Sequence, residues 1–97
     1  MKIDRLKEIT NKLIKEKFIV EKKDWGVNFI KEFNNNKIFK ISYIEFYDEL
    51  TLCLENKNTD NIISSKYTKL SKITDIDFIF LVNRIKMFYR LFEELFI

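Results

Sequence analysis

The chain has 97 residues and a formal charge of +3, with 46 % apolar and 34 % charged side chains. That length supplies one domain, residues 1–97, with enough apolar material for one core and too little for two. Histidine and proline are absent and there is one glycine and one cysteine, which removes serine triads, zincin and zinc-finger sites, glycine-rich phosphate loops and intrachain disulfides.

Alanine and glutamine are missing as well, and Phe, Tyr, Met, Ile, Asn and Lys make up 55 of the 97 residues. Those six are encoded by AT-rich codons, so the composition points to an AT-rich genome before it points to any chemistry. Placement of charge is more informative than its total. Residues 1–40 carry a balance of +5, residues 41–60 a balance of −4, and residues 61–97 a balance of +2. The opening residues mix acids and bases and lack an apolar signal core, and no run of 18 apolar residues occurs, so a cytoplasmic protein without a membrane span is expected.

In chain order, residues 3–17 read as an amphipathic helix. Ile3, Leu6, Ile9, Leu13 and Ile14 line one face, and Arg5, Glu8, Lys12 and Lys15 the other. The period then changes to two. Val27, Phe29 and Phe33 alternate with polar or outward residues, Asn34-Asn35-Asn36 marks a turn, and Phe39, Ile41 and Tyr43 form the next strand. After a break at Glu45–Asp48, Leu50, Leu52 and Leu54 make a third. Phe18-Ile19-Val20, turning at Asp24-Trp25-Gly26, adds a fourth strand at the start. The expected core face of this antiparallel meander is Phe29, Phe39, Ile41, Leu50, Leu52 and Leu54. Asn56 to Asn61 is a polar loop, and residues 62–73 suit a helix through Ile63, Tyr67, Leu70 and Ile73 without requiring one. Thr74-Asp75-Ile76-Asp77 has the form of a capping box and opens a long helix with no breaker after it. The expected fold class is therefore α+β: an N-terminal helix, a three- to four-stranded antiparallel meander, and a long C-terminal helix packed on the sheet.

Three groups of residues are candidates for function. In the last helix, Phe78, Leu81, Val82, Ile85, Phe88, Tyr89, Phe92 and Phe96 form an arc that covers the sheet. Ile76, Phe80, Met87 and Leu91 form a second apolar stripe, covered either by residues 62–73 or the first helix, or by another chain. Tyr43, Glu45, Phe46, Tyr47, Asp48 and Glu49 make an aromatic–acidic patch suited to docking on a basic protein surface. Lys12, Lys15, Lys22 and Lys23 are the candidates for contact with a nucleic-acid backbone. Asp48 with Glu55-Asn56-Lys57 resembles the acid and Glu-x-Lys of restriction-type nucleases, where carboxylates hold a divalent metal. The double-stranded RNA-binding domain shares the element order, but its Gly-Pro-x-His loop has no counterpart and the last helix opens with acids that repel phosphate.

Taken together, the residues point to a non-enzymatic protein-binding module with no cofactor, metal or small-molecule substrate. Its partner is another protein, a host effector or a second copy in a homodimer. The opening Ile3-Asp4-Arg5-Leu6-Lys7-Glu8-Ile9 helix, the meander around Asn34-Asn35-Asn36 and the closing helix resemble, in element order, the small anti-CRISPR inhibitors of phages and prophages that block Cas9. The resemblance implies an inhibitor that docks on a host protein. The alternatives are a nucleic-acid-binding accessory protein using the basic N-terminal half, and an immunity protein or antitoxin.

Overall fold

The computed structural model describes residues 4–33, 36–56 and 61–96. Helix α1 spans Arg5–Lys15, and its start is fixed by Asp4, whose carboxylate accepts from the Lys7 N–H at 3.0 Å. A carboxylate N-cap satisfies one orphan donor and complements the helix dipole. Ile9 and Leu13 are buried and Leu6 packs against the core. Ile14, expected on the same face, is instead exposed, because it lies about 100° around the helix from Leu13. Ile3 lies outside the described residues.

Five strands follow in a simple meander, each antiparallel to its neighbour: β1 Ile19–Lys23, β2 Gly26–Glu32, β3 Lys37–Ile44, β4 Glu49–Asn56 and β5 Asn61–Tyr67. The count exceeds the expected three or four. Residues 61–67 pair with β4 from Leu50↔Tyr67 to Glu55↔Asn61, with a bulge at Leu54/Glu55, so the helix-like spacing in this stretch is overridden by a neighbouring edge with unpaired backbone groups. The rest of the stretch closes as a 3₁₀ turn, Leu70–Lys72. Of the Asn34–Asn36 turn, Asn36 is described and adopts a left-handed backbone at φ 61°; Asn34 and Asn35 lie outside the described residues, as do residues 57–60 of the expected polar loop.

Alternation places Phe29, Ile41 and Leu52 side by side in register, with Phe39 beside Leu54 and Tyr43 beside Leu50. All six residues expected on the core face are no more than 2 % exposed. Helix α2, Asp75–Phe96, covers them. The Thr74 hydroxyl accepts from the Asp77 N–H at 3.2 Å, as the capping-box pattern predicts. Phe78, Leu81, Ile85 and Phe92 are buried, and Phe39 meets Phe88 and Phe92 edge-on.

Polar contacts lock α1 to the rest. Arg5, expected on the solvent face, reaches Asp75 at the start of α2 and lies 4.6 Å from the centre of the Phe78 ring. At the other end of α1, the Tyr89 hydroxyl donates to the Glu16 carboxylate at 2.7 Å, and the Lys31 ammonium donates to the Glu16 carbonyl at 2.9 Å.

Candidate functional site

The β3–β4 connection is a four-residue turn, Glu45–Asp48, and its geometry is fixed from three sides. Asp48 takes a left-handed backbone at φ 52°, which Asp tolerates better than most residues. Its carboxylate accepts from the Tyr43 hydroxyl at 2.7 Å, the Ser71 hydroxyl at 2.6 Å and the Ser71 N–H at 3.1 Å. The Asp48 carbonyl accepts from the Leu70 N–H at 3.0 Å, so one residue ties the turn to the segment leading into α2. Burial, and then the Asp48 carboxylate beside it, pushes the Tyr43 phenol well above the ordinary tyrosine value, so it stays a donor. From the other side, the Glu45 N–H donates to the Trp25 carbonyl at 2.9 Å, joining this turn to the β1–β2 turn.

That frame holds two aromatic side chains in solvent. Phe46 is 88 % exposed and Tyr47 63 %, their rings edge-to-face with centroids 5.0 Å apart. Trp25, also exposed, is at the same end of the sheet, and Asp24 and Glu45 supply acids there. The sequence patch is thus divided by the fold. Glu45, Phe46 and Tyr47 face solvent, Tyr43 and Asp48 turn inward to hold the turn, and Glu49 lies on the opposite sheet face near Lys66, at 3.9 Å. What sequence reading missed is Ser71, 23 residues from the carboxylate it binds, and Trp25 as a neighbour of the turn.

The second apolar stripe of α2 points outward. Ile76, Phe80, Met87 and Leu91 are exposed, and Ile79 and Leu95 join them. Ile79 borders a groove with Arg5, Glu8 and Lys12 of α1, and Phe80 borders another with Lys66, Tyr67 and Ile73, yet both stay more than half exposed.

The four candidate lysines are separated into two pairs. Lys12 and Lys15 line a groove between α1 and α2 with Glu16 and Lys86. Lys22 and Lys23, at the end of β1, border a larger groove of about 700 Å³ with Asp4, Glu45 and Asp48. Lys23 is also paired with Glu21 at 3.1 Å. Lys22 and Lys23 have carboxylates beside them, which is a poor track for a polyphosphate backbone, whereas Lys12 and Lys15 are joined by Lys86 against the single Glu16.

The nuclease-like carboxylates are at opposite ends of β4. Asp48 precedes the strand and Glu55 is near its end, about 20 Å away at the rise of an extended chain. Glu55 pairs with Lys40 at 2.8 Å, and Asp48 is committed to the turn, so the two share no metal. Among the described residues, no group of three His, Cys, Asp or Glu could hold a metal ion, and no helix is long and apolar enough to cross a membrane.

The sheet face away from the helices carries a polar row. Asn28 donates to Glu21 at 3.2 Å and accepts from Ser42 at 2.6 Å. The bond from Asn28, with Lys23 next, holds the Glu21 carboxyl below its usual range. Cys53 is on this face but buried, and burial followed by the nearby Glu55 pushes its thiol up, away from the reactive thiolate. Comparison with family models, curated proteins and solved structures finds no match for this chain.

Proposed function

We propose that this chain is a non-enzymatic protein-binding module whose docking element is the β3–β4 turn. The observation that carries the reading is the combination of exposure and rigidity in Glu45–Asp48. Two aromatic rings stand in water, yet their backbone is held by the Asp48 carboxylate and by the bond to Trp25. Aromatic anchors dominate protein interfaces, and a turn ordered before binding avoids most of the ordering cost that a flexible loop incurs. Glu45 and Asp24 are beside them and Lys22 and Lys23 border the same groove, so the charge around the rings is mixed and the aromatic anchors carry the contact. The likeness in element order to anti-CRISPR inhibitors suggests a host nuclease effector in the cytoplasm as that partner. An immunity protein or antitoxin would use the same surface on a different target.

The test is Phe46→Ala with Tyr47→Ala. A photo-reactive residue at position 46 should cross-link one host protein that the same group at exposed Ile14 does not. Losing two aromatic anchors should weaken binding to that protein by roughly 30-fold or more, with an unchanged circular dichroism spectrum. If the captured protein is a Cas9-type effector, the wild type should slow its DNA cleavage and the variant should not. Equal binding by variant and wild type, or no cross-link above the Ile14 control, would refute the reading.

A further inference from the structure

We propose that the outer face of α2 pairs two copies of this chain, antiparallel, across a twofold axis. This surface is separate from the β3–β4 turn and the inference does not depend on it. The first observation is area. Ile76, Ile79, Phe80, Met87, Leu91 and Leu95 are each between 45 % and 68 % exposed. At roughly 100 Å² of side chain apiece, they leave on the order of 600 Å² of apolar surface in water on one helix. That matches the largest patches of ordinary monomers. Ile79 and Leu95 lie about 90° and 70° around the helix from the line of the other four, so those four supply on the order of 800 Å² across two copies. Full burial of all six would reach on the order of 1,200 Å², where stable interfaces begin.

The second observation is symmetry. Ile76 and Leu91 are equidistant from the junction between Asn83 and Arg84, and so are Phe80 and Met87. Two helices related by a twofold axis at that junction would bring Ile76 opposite Leu91 of the second copy and Phe80 opposite its Met87, each contact made twice. All four side chains lie within about 30° of one line down the helix, the narrow seam that paired helices use. Asn83 and Arg84 flank that line by about 50° and would form a polar layer at the axis, with Glu94 at the far end of the seam, and a polar layer in an apolar seam sets register. The third observation is charge. The described face carries Asp77 and Glu94 against Arg84 and Arg90, a balance of zero, so a second copy is not repelled. The two acids count against a membrane surface as the occupant.

Sedimentation and light scattering should show a dimer of the wild type at micromolar concentration. Phe80→Glu with Met87→Glu should give a folded monomer, its self-association weakened at least 100-fold. Orientation is read separately on a Cys53→Ala background. Phe80→Cys and Met87→Cys chains, mixed in equal amounts and oxidised, should form the mixed disulfide in preference to either homodimer. Should the glutamate variant fail to fold, this cross-linking decides. A wild type that stays monomeric to about 1 mM, a folded glutamate variant that still dimerises, or cysteines that link like to like would each overturn the proposal. Phe46→Ala with Tyr47→Ala should leave the dimer intact, so loss of partner binding and loss of self-association are told apart.

Discussion

Replacing Asp48 with glycine should unfasten the β3–β4 turn without disturbing the strands on either side. Glycine adopts the left-handed backbone at φ 52° at little cost, so the change removes the carboxylate and nothing else the turn needs. Three donors lose their acceptor: the Tyr43 hydroxyl, the Ser71 hydroxyl and the Ser71 N–H. A hydrogen bond to a charged group contributes about 1.5–3 kcal/mol when it is dry. Ser71 is exposed, so water replaces most of its share, whereas Tyr43 is half-buried and bears the main loss. The expected cost is about 2–3 kcal/mol, which for a domain of this size lowers the melting temperature by roughly 10–20 °C. Asp48→Ala should cost about 1–2 kcal/mol more, because alanine pays for the left-handed backbone. Asp48→Asn should fall between wild type and glycine. Urea and thermal unfolding followed by circular dichroism measure all three, and the photo-cross-link at position 46 reports whether the turn still presents its rings. Stability of the glycine variant within about 0.5 kcal/mol of wild type would mean that the carboxylate does not organise this end of the sheet. The docking proposal would then lose its physical basis.

Two further outcomes follow from other parts of the fold. Gly26→Ala should prevent stable folding, since a Cβ there would lie 1.9 Å from the Tyr43 carbonyl oxygen at a φ of 155°, and recovery of soluble, cooperatively unfolding protein would contradict the described β2–β3 pairing. Stability should be level from neutral pH to about 8, decline gently from about 9 as the raised Cys53 thiol begins to matter, and fall more steeply above about 10, because the phenols of Tyr43 and Tyr89 are both pushed above the ordinary tyrosine value of about 10. A raised value contributes stability that is fully present below that ordinary value and is lost as pH rises toward the folded-state value. Tyr43→Phe should therefore flatten the alkaline decline in urea midpoints, and an unchanged slope would count against the Tyr43–Asp48 contact.

The sheet core could be read from sequence because its signal is local. Phe29, Phe39, Ile41, Leu50, Leu52 and Leu54 recur at every second position, and a period of two assigns a face without reference to any distant residue. Strand β5 could not be read this way. Ile63, Tyr67, Leu70 and Ile73 fit a helical period as well as chance allows, and what decides the matter is the free edge of β4, a non-local fact. The same reasoning applies to single residues. Asp48 reads as a surface acid until Ser71 and Tyr43 are brought to it, and Arg5 reads as a solvated base until Asp75, 70 positions later, closes on it. Spacing alone assigns Ile14 inward, and the helix turns it out.

Composition and placement carry different information in this chain. An AT-rich codon bias supplies phenylalanine and isoleucine whether or not the protein needs them, so an isolated exposed Ile14 or Ile19 requires no further explanation. Codon bias acts on each position alone, however, and cannot make exposed positions contiguous. It gives no reason for six exposed apolar side chains to share one face of α2. Nor does it explain why Phe46, at 88 % exposure, rides on a turn held by the Asp48 carboxylate through Tyr43 and Ser71. A chain drifting toward AT-rich codons would place its greasy residues in water at random, and flexible loops would tolerate them most easily. Here most of them are on a long helix packed on the sheet and on a turn held by side-chain and backbone hydrogen bonds. Ordered support for exposed apolar groups lowers the ordering cost of an interface, and it is the reason both surfaces are proposed for binding.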